Sequence, residues 1–292
     1  RIAPPRIGGV LNVGSAHGGE FGSREAIGRA KAELVQALPA TGFAVLNVDD
    51  PVVSGMAGQT RAHVIPVGES AQATIRAVDI SLDPQGRASF TLVTDQGIAP
   101  VALGLHGAHH VGNALAVAAV ALTVGMALPD LATALGEARP LSRWRMEVHE
   151  RLDGVTIVND AYNANPDSMR AALSALAAMG RGRRTWAVLG EMRELGHESI
   201  TEHDALGRLA AHLNVSRLVA VGEGTQPIDI GARRGGRCGE ESTWVPDTDA
   251  AYELLRRDLA PGDVVLLKSS RDAGLRWLGD RLLDVTGSEV HS

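Results

Sequence analysis

The sequence predicts an α/β protein of two domains, and three observations lead there. Short apolar runs rich in β-branched residues, around Val155, Ile157 and Val158 above all, are continuous rather than alternating, as strands covered on both faces require. Between them lie longer segments whose apolar residues recur at helical spacing, and this alternation builds a mostly parallel sheet with helices on its faces. With 292 residues, 45% of them hydrophobic, the chain can bury two cores. The formal net charge of -6 and a pI near 5.9 argue against nucleic acid as a partner, because a phosphate footprint wants a basic surface. A lone cysteine, Cys238, permits no internal disulfide, which points to a reducing cytosol. The longest apolar run, residues 114–128, falls short of the roughly 20 residues of a membrane span, so no membrane insertion is expected. Arg1-Ile-Ala-Pro-Pro-Arg6 carries no initiator methionine and reads as the middle of a longer protein.

In chain order, residues 7–13 read as a strand ending in the polar loop Asn12-Val13-Gly14-Ser15-Ala16-His17. A helix is expected from Ser23, its N-cap, to about Leu38, with Ile27, Ala30, Leu34, Val35 and Leu38 on its apolar face. At 100° per residue Lys31 falls inside that stripe, so it must snorkel to an edge or serve a site. A strand over residues 43–48 again ends in polar residues, Asn47-Val48-Asp49-Asp50-Pro51. Three short strands over residues 73–80, 88–94 and 99–105, separated by Asp/Gly turns, suggest a small antiparallel sheet. Gly107-Ala108-His109-His110-Val111-Gly112-Asn113 then opens an alanine-rich helix, and a second helix covers residues 129–138. The domain boundary is placed at residues 139–143, giving domains 1–140 and 141–292.

The second half is organised around Ile157-Val158-Asn159-Asp160-Ala161-Tyr162-Asn163-Ala164-Asn165-Pro166-Asp167-Ser168-Met169. It begins as a buried strand and becomes a helix, with Asn165 suited to the cap and Pro166 to the first helical position. Between strand and helix stand Asn159, Asp160, Tyr162, Asn163 and Asn165, where open α/β sheets place their ligands. A polar connecting loop would look similar, but five hydrogen-bonding side chains exceed what a cap needs. A hairpin pairs residues 145–150 with 155–159. Strands follow over residues 185–190, 217–222 and 263–268, and helices over about 200–213, 249–259 and 273–285. Residues 227–241, rich in Gly and Arg, read as an irregular surface loop.

These motifs, in this order over almost the whole chain, resemble the Mur ligase family. The resemblance implies a central ATPase domain, with a parallel sheet plus a small antiparallel sheet, followed by a Rossmann-like C-terminal domain. Asn-Val-Gly-Ser-Ala-His resembles the family loop whose histidine binds magnesium, so His17 takes that role. Lys31 resembles a lysine that several members carbamylate, beside the metal or the substrate. His109 and Asn113 match the Gly-x-His-Asn-x-x-Asn motif that meets adenine, with His110 departing from it. Asp160 resembles the aspartate on the ribose hydroxyls, and Arg145 the arginine that reaches the nucleotide phosphates. Tyr162, Asn163 and Asn165, with Ser270 and Arg271 of Lys268-Ser269-Ser270-Arg271, resemble the groups facing the acceptor. Ser269 stands where the family has glycine.

The activity implied is that of an ATP-dependent amide ligase requiring Mg2+, a cytoplasmic monomer. It would join D-alanyl-D-alanine to UDP-MurNAc-tripeptide in peptidoglycan synthesis, with residues of both domains serving one site that closes for turnover. No Gly-x-x-x-x-Gly-Lys-Ser/Thr occurs, so the chain alone is expected to be inactive. A ligase resembling folylpolyglutamate synthase, or a non-catalytic nucleotide- or peptide-binding module, are the alternatives. A dehydrogenase is disfavoured because no Gly-x-Gly-x-x-Gly occurs.

Overall fold

The structure, a computed structural model, describes residues 5–14, 24–236 and 241–284. The chain divides into two compact units, Arg1–Arg139 and Pro140–Ser292. Ser23 and His17 lie outside the described residues, as does Cys238.

The first unit contains β1 (Ile7–Val10), α1 (Arg24–Gln36), β2 (Phe43–Asn47), a short α2 (Pro51–Ser54), β3 (His63–Gly68), β4 (Ile75–Leu82), β5 (Arg87–Thr94), β6 (Gly97–His106), α3 (His110–Thr123) and α4 (Leu128–Glu137). Its six strands form one sheet in sequence order, parallel from β1 to β4 and antiparallel from β4 to β6. The antiparallel strands therefore continue the parallel sheet, joined to it by only two pairs, Val67 with Ile75 and Gly68 with Arg76. One core lies between β3–β6 and helices α3 and α4, with Leu115, Leu92 and Leu131 at its centre. A second lies between β1–β2 and helices α1 and α2.

Two expectations need correction here. The first strand ends at Val10 rather than Val13, because side chains from elsewhere take the backbone groups of the residues that follow. The buried stripe of α1 is Ile27, Gly28, Ala32 and Val35, while Ala30 and Leu34 are exposed. The stripe sits slightly around the helix from its expected place because Gly28 lets α2 approach closely: a Cβ there would lie 2.9 Å from Val52.

The second unit contains β7 (Glu147–Glu150), β8 (Thr156–Asn159), α5 (Pro166–Met179), β9 (Thr185–Gly190), α6 (Ser199–His212), β10 (Arg217–Val221), α7 (Gln226–Arg234), β11 (Ser242–Val245), α8 (Thr248–Asp258), β12 (Val264–Lys268) and α9 (Leu275–Asp284). The strand order is β11-β10-β9-β12-β8-β7, parallel except for the β7–β8 hairpin. Helices α5, α6 and α7 cover one face and α8 and α9 the other. Strands β8, β9 and β12 are buried along their whole length, which explains their unbroken apolar runs.

The expected loop over residues 227–241 is corrected: residues 226–234 form α7. Gly231 serves packing, as does Gly207 of α6. A Cβ on Gly231 would run into the Asp204 carbonyl, and one on Gly207 into that of Ile228. Two helices cross this closely only where both lack a side chain.

Candidate active site

The strand order of the second unit sets its candidate site. Because β12 lies between β8 and β9, the carboxyl ends of the three strands are neighbours. Three loops leave there: residues 160–165 after β8, 191–195 after β9, and 269–274 after β12.

Asp160 and Lys268 anchor the first loop. Lys268, 2% exposed, donates from Nζ to Asp160 Oδ2 at 2.6 Å, to the Asn163 carbonyl at 3.1 Å and to the Asp160 carbonyl at 3.4 Å. All three ammonium protons are thereby accepted within one loop. The other carboxylate oxygen of Asp160 accepts from the Met146 amide at 3.0 Å. Removing either member of such a buried pair strands a charge, at a cost of about 3–5 kcal/mol.

The remaining polar residues of the loop divide sharply. Asn159 is buried and structural: its Nδ2 donates to the Arg276 carbonyl at 2.9 Å where Gly279 brings α9 close. Asn165 caps α5, its Oδ1 accepting from the Ser168 amide at 2.8 Å while Ser168 Oγ accepts from the Asn165 amide. Such a cap contributes about 1 kcal/mol. Tyr162 and Asn163 remain, the first half-buried and the second exposed.

Tyr162 gathers two cations. The Arg145 guanidinium lies 4.3 Å from its ring centroid and that of Arg271 lies 5.7 Å away. Both distances fall within cation–π range, and the two arginines together can hold an anion. Ser270, by contrast, is buried. Its hydroxyl accepts from the Arg193 amide at 2.9 Å and its own amide donates to the Glu191 carbonyl at 2.9 Å. Ser270 thus ties the β12 and β9 loops together. Ser269, in the family's glycine position, fits because Gly190 faces it: a Cβ on Gly190 would lie 2.6 Å from that of Ser269.

The β9 loop rests on a residue that the sequence reading passed over, His203. Its Nε2 accepts from the Met192 amide at 2.9 Å and its Nδ1 donates to the Ser199 carbonyl at 2.7 Å. Both bonds require the neutral ring with the proton on Nδ1. Burial lowers its pKa, outweighing the Ser199 carbonyl and the charges of Glu191 and Glu202, which pull the other way. The available signal was a histidine in register with Leu206, Gly207 and Ala210 on the buried stripe of α6.

In the first unit the candidates fall in two places. At the start of α3, the His109 and His110 rings lie 4.1 Å apart and Asn113 Nδ2 is 3.4 Å from His110 Nδ1. Neither histidine caps through its side chain; Gly107, at φ +116°, passes against the His109 ring where a Cβ would collide with it. Burial pushes the His110 imidazole down to about 4, with the charges of His109 and His106 adding to the effect.

The loop after β1 is the other place. Asn47 Nδ2 donates to the Leu11 carbonyl at 2.9 Å, Lys31 Nζ to that of Asn12 at 2.8 Å, and Arg24 Nε to that of Val13 at 2.8 Å. Asp50 accepts from the Val13 amide at 2.8 Å. Lys31 is exposed and reaches out of its stripe to this loop. His17 lies outside the described residues. Among the described residues no three His, Cys, Asp or Glu side chains are grouped to hold a metal ion.

Comparison with known proteins bears on both units. Residues 1–121 match the Mur ligase middle domain and residues 144–271 the Mur ligase glutamate ligase domain. The chain is 51% identical to UDP-N-acetylmuramoyl-tripeptide–D-alanyl-D-alanine ligase of Mycobacterium tuberculosis over 98% of its own length and 60% of that protein. A crystal structure of MurF from Acinetobacter baumannii is similar at a TM-score of 0.86 and 31% identity, over 96% of this chain and 60% of that one. MurF ligase from Thermotoga maritima in complex with ADP is similar at a TM-score of 0.82 and 25% identity, over 97% of this chain and 62% of that one. The chain thus spans about 60% of the length of the curated relatives it matches.

Proposed function

The chain belongs to the Mur ligase family, and from that premise we propose that it is part of an ATP-dependent ligase joining D-alanyl-D-alanine to UDP-MurNAc-tripeptide in the cytoplasm. The observation that carries this reading is Tyr162 with Arg145 and Arg271, held over a loop that Lys268 and Asp160 fix from below. It is a rigid surface offering cations and an exposed amide side chain at the carboxyl ends of a parallel sheet. Names of the relatives supply the substrates, and the ADP complex of one of them supports a nucleotide.

ATP phosphorylates the terminal carboxylate of the tripeptide, giving an acyl phosphate and ADP. The dipeptide amine attacks the acyl carbon and loses a proton, and the tetrahedral intermediate expels inorganic phosphate. Two anions must approach one another in the first step, and a guanidinium aimed at the transferring phosphoryl group offsets their repulsion. Arg145 takes that part. Tyr162, Asn163 and Arg271 face the dipeptide. Asn165 and Ser270 hold this surface, in the cap of α5 and the tie between the β9 and β12 loops, as their hydroxyl and amide contacts support. Asp160 keeps acceptor capacity on both oxygens for ribose hydroxyls, since a carboxylate offers about four lone-pair sites. In the first unit His109 and Asn113 meet the adenine, and Lys31 supports the loop that leads to His17, the magnesium ligand of this reading.

The test is ADP release with UDP-MurNAc-tripeptide, with and without D-alanyl-D-alanine, in this chain and in the full-length protein that contains it. Dipeptide-dependent release by the full-length protein is the expected result. Release that ignores the dipeptide would overturn the reading.

A further inference from the structure

We propose that Trp144 and Asp280 are positioning residues that clamp Arg145 in place over Tyr162. The proposal rests on the reading of Arg145 just given, and it brings in α9, whose Asp280 lies beyond the residues matched to the family domain.

Arg145 sits between two residues of left-handed backbone, Trp144 at φ +61° and Met146 at φ +48°. Neither is glycine, and such a residue persists in this conformation only where its surroundings hold it. The surroundings are unusually complete. The Trp144 amide donates to Glu147 Oε2 at 2.8 Å, and its carbonyl accepts from the Tyr162 amide at 3.0 Å. Its indole Nε1 donates to both carboxylate oxygens of Asp280, each at 3.2 Å, and its ring meets the edge of Trp277 at 5.0 Å between centroids. Arg143 binds the same carboxylate at 2.9 Å. On the other side the Met146 amide donates to Asp160, and the Met146 side chain is buried in the core. Arg143, Trp144 and Met146 are each held by hydrogen bonds to partners outside the segment, whereas Arg145 is exposed and lies against the Tyr162 ring.

Strain of this kind persists where surrounding contacts over-determine it, and here those contacts converge on the backbone on either side of one guanidinium. Asp280 is the distant end of the device. Its carboxylate is the shared acceptor of Arg143 and Trp144, so its removal frees both at once. Left to itself the segment relaxes toward ordinary backbone angles, and the Arg145 side chain leaves the Tyr162 ring.

Two measurements on the full-length protein test this. Asp280→Ala removes the acceptor while substituting a better helix former, so α9 is not the casualty. Trp144→Phe keeps the ring and removes the indole N–H. Both variants should speed hydrogen exchange at the Met146 and Tyr162 amides by about tenfold or more; unchanged exchange in both overturns the clamp whether or not the enzyme is active. In turnover, Asp280→Ala should lower kcat/KM for ATP on the order of 10- to 100-fold, the effect of a catalytic group displaced by about an ångström. In an Arg145→Ala background the same substitution should cost less than about twofold, because there is no guanidinium left to position. Equal losses in the two backgrounds would make Asp280 a general structural residue and overturn the proposal. Absence of dipeptide-dependent ADP release from the unaltered protein would instead sink the functional reading, and the exchange measurement alone would still decide the clamp.

Discussion

The two units hold their strand-end loops by opposite means. In the second, the loop after β8 is fixed from inside, by a lysine 2% exposed to solvent and an aspartate whose two oxygens each accept one hydrogen bond from the protein. In the first, residues 11–13 after β1 are fixed from the rim: half-buried Asn47 and exposed Lys31 and Arg24 each take one backbone carbonyl, and Asp50 takes an amide. A buried charge pair is all-or-none, because one partner without the other leaves an uncompensated ion. A set of separate, single hydrogen bonds at the rim is graded, since each can be lost without stranding a charge. Equal numbers of polar contacts should therefore respond differently to the loss of one partner in the two units.

Lys268→Met should break this contrast most severely. It leaves the largely buried Asp160 carboxylate with only the Met146 amide, and the second unit should lose about 3–5 kcal/mol. All four tryptophans lie in the second unit, so fluorescence-detected urea unfolding reports that unit alone. A loss below about 1 kcal/mol would place the pair with exposed salt bridges and erase the distinction.

The next effect separates the units by pH. His203 in the second unit and His110 in the first are both more acidic folded than unfolded, through burial in each case. The unfolded chain therefore takes up the proton first. The stabilisation is whole above the ordinary imidazole pKa of 6.5 and drains as pH falls below it, for His110 until about 4. Tryptophan-detected stability should fall between pH 7 and pH 5, and His203→Gln should flatten that dependence while leaving the first unit's exchange profile unchanged. An equally steep fall in the variant would exclude His203 as its source.

Lys31→Met should have the smallest effect, no more than about 1 kcal/mol in the first unit, because water can serve the Asn12 carbonyl. Amide exchange near Val13 is the readout. A loss above about 2 kcal/mol would show that the rim is as cooperative as the buried pair.

Much of this was legible along the chain. Thr185–Gly190 is a strand at the bounds its apolar run implies, and Asn165-Pro166 opens α5 with the cap its residues suggest. The alternation of strand and helix brought the polar residues of 159–165 to the end of a central strand. Other positions misled for definite reasons. Gly231 and its neighbouring glycines and arginines read as loop, yet Gly231 is where α7 meets α6. Asn159 and Ser270 look like ligand-facing groups beside Tyr162, yet both are spent on the protein. His203 looks like an ordinary helix residue until the Met192 amide is seen to need an acceptor.

What the sequence by itself determined is what depends on neighbours within a few residues: the periodicity of strands and helices, the caps, and the chemistry concentrated between β8 and α5. What only the tertiary structure decided is which of those polar groups are consumed and which are left to act. Lys268 finds Asp160 across 108 positions, and Trp144 finds Asp280 across 136. Those pairings follow from β12 entering the sheet between β8 and β9 and from α9 returning over their ends, an order that no local pattern encodes. A buried charge takes the partner that the strand order sets beside it, and Arg145 is left exposed against the Tyr162 ring.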